Sequence, residues 1–164
     1  MKRRINSKAK GSRAELELAK ILTARFGTAF ARVGVASGAR VKNTKLPDNA
    51  VGVMTGDLIV PSGFKFSIES KSANVGIDFL DQSAQFDKWL FQATADAERI
   101  DKIPLLCWKQ HRKGWIAAVP LYAFAKSMTP YPLYFSMYRS WVIVKLDTLL
   151  AVKNGLFWYG GETS

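Results

Sequence analysis

With 164 residues, 48% of them apolar, the chain is long enough for one domain with a real core and too apolar for a disordered protein. A formal charge of +11, with a pI near 9.9, points to a polyanionic partner, most simply nucleic acid. No apolar run approaches the roughly 20 residues of a membrane span, and no signal-peptide core follows the basic start, so no membrane partner and a cytoplasmic location, in a prokaryotic or phage-infected cell, are expected. The single cysteine, Cys107, fits a reducing compartment, and a lone histidine, His111, leaves histidine triads and zinc sites little support.

Residues 1–11 are a basic lead-in, either a phosphate-tracking arm or a frayed, soluble tail. Ser12 is expected to cap a helix reaching about Phe26, with Ala14, Leu18, Ile21 and Leu22 as its apolar stripe. Ser12-x-x-Glu15 has the spacing of a capping box, which would explain Glu15 structurally. Glu15 also lies at the edge of the buried stripe, within reach of a neighbouring sheet. Glu17 flanks the opposite edge, so helical geometry alone does not choose between them. Ala29 to Val35 reads as a strand; Arg32 within it is either at an edge or aimed at an anion. Residues 36–55 read as a long basic loop with Ser37, Arg40 and Lys42, either contacting substrate or a mobile insertion.

The stretch from Gly56 to Lys71 organises the rest. Asp57 to Val60 and Phe64 to Lys71 read as two strands joined by the turn residues Pro61-Ser62-Gly63. Alternation sends Phe64, Phe66 and Ile68 to one face and Lys65, Ser67, Glu69 and Lys71 to the other. In a hairpin centred near Gly63, Asp57 would oppose Glu69, with Cβ atoms about 5 Å apart. Two carboxylates that close need a cation between them. Mg2+ suits one or two carboxylates plus water and phosphate oxygens, with Mn2+ able to substitute. Lys71 could then hold or deprotonate an attacking water. The alternative is an ordinary hairpin with a solvated charged face.

A second helix is expected to begin at Asp78 or Asp81 and extend to about Asp101, with Phe86, Trp89, Leu90, Ala93, Ala97 and Ile100 as its stripe. Gln82 falls on that stripe and Gln85 beside it; either could support the site or hydrogen-bond within the core. Leu105 to Trp108 reads as a buried strand, Gln110 to Gly114 as a basic turn and Trp115 to Val119 as the next strand. Pro120 suits the start of a short helix through about Ser127. Thr129 to Arg139 is aromatic; Tyr131, Tyr134, Phe135 and Tyr138 could stack on bases, but a lid or subunit contact is the expected use. Trp141 to Lys145 reads as a strand and Asp147 to Val152 as a helix. This order predicts an α/β fold, a mixed central sheet flanked by helices.

Gly56-Asp57 followed by Glu69-Ser70-Lys71, after a first helix bearing a glutamate, resembles the PD-(D/E)xK nuclease superfamily with its restriction-endonuclease-like fold. Lys10-Gly11-Ser12-Arg13-Ala14-Glu15, with Arg32 and Ser37-Gly38, resembles more narrowly the archaeal-type Holliday junction resolvases. The likeness covers roughly the first two-thirds; the extension from about residue 122 lies outside it. It implies Asp57, Glu69 and Lys71 as a metal-dependent core, with Glu15 as an added metal-site acid. It implies a structure-selective DNA endonuclease acting as a homodimer across a four-way junction; DNA contacts are expected from Lys10 and Arg13 of the basic start, from Arg32, and from Ser37, Arg40 and Lys42 of the loop. A literal Pro-Asp at Pro47-Asp48 lies too far from Glu69 for a simple hairpin, so Asp57 is the assigned acid.

Overall fold

The computed structural model describes residues 7–33, 53–72, 84–110, 113–125 and 135–160, with side chains at all of these but 7–10 and 53–55. Helix α1 runs Ser7–Phe26. It begins a full turn before the expected cap, so Ser12 lies inside it and the capping box does not form. Lys8, Ala9 and Lys10 favour helix and nothing among them breaks one, so the basic lead-in is helical from Ser7 on. At the other end Gly27 takes φ +66°, and its N–H bonds Thr23 O at 2.9 Å, a left-handed stop that suits glycine.

Strand β1 is only Ala31–Arg32, shorter than expected. It joins β2 (Val53–Thr55) and β3 (Leu58–Val60) in a three-stranded antiparallel sheet with β3 in the middle. The end of the anticipated 36–55 loop is therefore strand.

The expected hairpin between Asp57–Val60 and Phe64–Lys71 does not form. Strand β4 (Phe66–Ser72) instead pairs in parallel with β5 (Ile103–Gln110). Its lead-in is drawn elsewhere: Lys65 N–H bonds Phe157 O at 2.7 Å, and Phe64 bridges Trp158. What joins β3's start to β4 is one parallel bridge, Gly56 to Ile68, with Asp57 N–H on Ile68 O at 3.0 Å.

The larger sheet continues through β6 (Gly114–Pro120), β7 (Ser136–Tyr138) and β8 (Trp141–Lys145), in the order β4-β5-β6-β8-β7. Only the β4–β5 pair is parallel, so the sheet is mixed. Helix α2, Ala84–Glu98, is the crossover that a parallel pair requires. It ends three residues earlier than expected, where the chain turns through Asp101 at φ +52°. Short helices α3 (Leu121–Ala125) and α4 (Leu146–Leu150) complete the chain with a 3-10 turn at Asn154–Leu156.

The alternation of β4 and β5 places a core on each face of the sheet. Leu18 and Leu22 of α1 pack with Phe64, Phe66, Ile68, Leu105, Cys107 and Phe157. Phe86, Leu90 and Ala93 of α2 pack with Leu106, Trp108, Tyr138 and Ile143 on the other face. The polar face of β4 is thus not solvated: Ser67 and Glu69 are buried beneath α2. Cys107 is a core residue, its thiol pushed up to about 12 by burial. The aromatic segment contributes Tyr138 to the α2-side core, ring on Phe86 at 5.2 Å and hydroxyl donating to Asp87 at 3.0 Å. It does not offer that ring to bases; Tyr131 and Tyr134 lie outside the described residues. This α/β architecture, a mixed sheet between helices, is restriction-endonuclease-like.

Candidate active site

The site forms where the two sheets meet, at the open edge of β4. Gly56 takes φ +54°, and a Cβ there would lie 2.5 Å from Ile68 O and 3.3 Å from Glu69 Oε2. Only glycine lets the backbone approach β4 this closely. That approach delivers Asp57: its N–H is held by Ile68 O, and its Oδ2 accepts the Ser70 N–H at 2.8 Å. The aspartate is thereby anchored on both sides of Glu69. The expected neighbourhood of Asp57 and Glu69 is realised, through a crossing of chains instead of a hairpin register.

Glu69 is 3% exposed, far more buried than a solvated strand face would leave it. Lys71, two residues along the same face, donates from Nζ to Glu69 Oε1 and to Gln92 Oε1 of α2, the latter at 3.0 Å. Glu15 reaches the same region from α1, where it pairs with Arg32. Arg32 turns its Nε onto this carboxylate, while the Glu15 charge acts on Asp57.

Burial raises the Asp57 carboxyl above its ordinary range; the Ser70 N–H opposes this, the charge of Glu15 adds to it, Lys71 opposes and Asp96 adds. Burial also raises Glu69, the Lys71 hydrogen bond opposing and the charges of Asp57 and Asp96 adding. One lysine thus faces several carboxylates, an arrangement that a divalent cation relieves. Among the described residues no three His, Cys, Asp or Glu side chains converge as a ready-made cage. A buried carboxylate, Glu69, beside a half-buried one, Asp57, is a donor set that fits a hard cation of the Mg2+ kind, which takes one or two carboxylates and keeps several waters. Ser70 Oγ, buried beside them, has no hydrogen-bond partner among the described residues.

The other anticipated residues divide. Arg13 is exposed on α1. Gln85 is exposed on α2 and bonds none of the described site residues. Ser37, Arg40, Lys42 and Gln82, with the side chain of Lys10, lie outside the described residues. Glu17, the alternative to Glu15, bonds Lys109 at 2.6 Å and Trp115 Nε1 at 3.0 Å, which holds its carboxyl below the usual range. Sequence reasoning missed Gln92 and Asp96. Gln92 lies seven residues after Gln85, two turns along the same face, and Asp96 one turn further. Nothing in the sequence set these two apart, because the helix also carries Asp87, Lys88, Thr94 and Glu98.

Fold and site together define a nuclease of the PD-(D/E)xK type. A family model described as "Phage putative PDDEXK endonuclease" matches residues 6–155. The chain belongs to that family, which makes it a nuclease with DNA as its substrate class; PD-(D/E)xK nucleases generally use divalent metal ions. No curated protein matches the chain.

Proposed function

We propose that the protein is a Mg2+-dependent DNA endonuclease in which Asp57 and Glu69 hold the metal and Lys71 positions the attacking water. The observation that carries this is the meeting of Glu69, buried and bonded to Lys71, with the half-buried Asp57, both with raised pKa. The cation, with Mn2+ as a substitute, would lower the pKa of a bound water and offset charge developing on the phosphate. Asp57, fixed by the Ser70 N–H, offers its remaining lone pairs without reorganising. Lys71 places a positive charge and donors at the mouth of the site, where they can orient water against phosphorus. Gln92 gives Lys71 an uncharged second acceptor. Asp57→Asn and Glu69→Gln should each abolish cleavage while DNA binding persists. Near-normal cleavage by both would remove these residues from the site.

A narrower reading is favoured by Glu15, whose charge acts on Asp57 from the first helix: a resolvase of four-way junctions, acting as a homodimer that makes paired cuts. A twofold dimer supplies the second centre at a fixed separation. On α2, Phe86 is fully buried in the core and Trp89 partly so, whereas Phe91, 78% exposed, is free to join such an interface. Glu15→Gln separates the roles. The helix begins at Ser7, so no capping duty remains for Glu15. A loss of cleavage at full stability supports the reading. A panel of junction, flap, nicked and linear duplex with Mg2+ decides the substrate, and equal cutting of linear duplex defeats the junction assignment.

A further inference from the structure

One row of residues crosses the large sheet at the end that bears the active site. Lys71 pairs with Trp108, Trp108 with Ile116, and Ile116 with Lys145. At the neighbouring level Ser72 pairs with Lys109 and Lys109 with Trp115, so Lys113, just before β6, lies at the same end. Lys113 and Lys145 both line a pocket of about 550 Å³, over Ile21, Trp115, Leu146 and Leu150. Both are exposed, and neither pairs with a carboxylate among the described residues.

Three other described cations near this end are engaged. Lys71 is held by Glu69 and Gln92, and Lys109 by Glu17. Arg25, which also lines the pocket, is turned onto Leu150 O at 2.6 Å and Asn154 Oδ1 at 3.0 Å. The one carboxylate of the lining, Asp147, accepts the N–H of Thr148 at 2.8 Å. The pocket's charge balance is positive, and its two unengaged ammonium groups point to a polyanion.

We infer that Lys113 and Lys145 form a second contact for the substrate's phosphodiester backbone, on duplex flanking the scissile phosphate. This rests on the proposed site at Asp57, Glu69 and Lys71. Three strand spacings separate β4 from β8, or about 14 Å. Duplex DNA advances about 3.4 Å per base pair, so the contact falls roughly four base pairs from the cut. Lys71 faces α2 and the pocket opens beside α1, so duplex reaches both by lying over the strand ends, Lys71 first and the Lys113–Lys145 pair next. Lys145 sits at a fixed strand end before α4, and Lys113 where β6 begins, so both bases are set by the scaffold.

The test is Lys113→Ala with Lys145→Ala, beside Lys153→Ala as a control of similar charge loss. Lys153 is exposed near Gly155, which accepts a bond from Lys65 before the opposite end of β4. Binding to radiolabelled or fluorescent duplex is measured in the Asp57→Asn background against salt, and cleavage in the otherwise native chain. The double variant should bind about tenfold more weakly, and its log–log salt slope should drop by roughly 2, one unit per lost phosphate contact. Its KM should rise with kcat retained, and Lys153→Ala should match the parent. Trimming duplex to about two base pairs on one side of the cut should weaken the parent to the level of the double variant and leave that variant unaffected. An unchanged affinity and slope in the double variant, or an equal loss in Lys153→Ala, overturns the inference. Full cleavage by Asp57→Asn would instead overturn the site on which it rests.

Discussion

Lys71 has two acceptors of different kinds, one a carboxylate and one the neutral oxygen of Gln92. With a cation on Glu69, as proposed, Gln92 would be the acceptor left to hold the ammonium group. Gln92 is exposed and supports no core, so its truncation tests placement with little effect on stability. Gln92→Ala should lower kcat roughly tenfold with KM and melting temperature unchanged, since small misplacements of a positioning group cost this much or more. Gln92→Glu, which keeps an acceptor at the same reach, should recover part of the loss. In a Lys71→Ala background the Gln92→Ala change should have no further effect, the signature of two residues acting as one.

At the scale of elements, the site depends on how closely the Gly56–Asp57 segment approaches β4. Gly56→Ala places a methyl 2.5 Å from Ile68 O on a backbone at φ +54°, so the segment must move. Cleavage should be lost, with stability lowered by about 1–3 kcal/mol, as for other strained positions. Wild-type activity in this variant would mean that Asp57 reaches its place by another route. The same crossing explains what was legible in the sequence. Phe64, Phe66 and Ile68 alternated with Ser67, Glu69 and Lys71, so the strand, its apolar face and its chemistry could be read directly. The partner strand could not. A turn at Pro61-Ser62-Gly63 is a local signal for a hairpin, but pairing is decided by Phe157 and Ile103, roughly 90 and 40 residues away along the chain. Likewise Leu18 and Phe86 announced buried helix faces, whereas the start of α1 was misplaced because Ser12 offered a cap that the helix did not need. Gln92 stayed hidden since only the parallel β4–β5 crossover brings that turn of α2 over Lys71.

The molecule as a whole holds two acidic groups in an environment that disfavours their charge. The sign follows from the raised values of Asp57 and Glu69. A carboxyl whose folded pKa exceeds its unfolded one adds stability that is complete below the unfolded value, near 4, and is lost as pH rises through the folded value. In chelator, the melting temperature should therefore fall across the mildly acidic range toward neutral pH. Added Mg2+ at neutral pH should restore it, because a ligand of the folded state stabilises by mass action. Asp57→Asn with Glu69→Gln should flatten both responses. A melting temperature that rises through this range in chelator, or ignores Mg2+, would contradict the electrostatics. The excess of positive charge is organised on the same scale. Lys65 bonds Gly155 O and Lys102 bonds Phe64 O, where they cap carbonyls away from the site. Lys113 and Lys145 remain open at the catalytic end.

Asp57, Glu69 and Lys71 are proposed to make one metal-dependent phosphodiesterase centre. The most direct measurement is single-turnover cleavage of end-labelled DNA, branched and linear, by the native chain and by Glu69→Gln, with Mg2+ and with chelator. The native chain with Mg2+ should cut; chelator and Glu69→Gln should each reduce the rate by at least about a thousandfold, as expected when metal-centred stabilisation is removed. Cutting that persists in chelator, or that Glu69→Gln performs at the native rate, would contradict it.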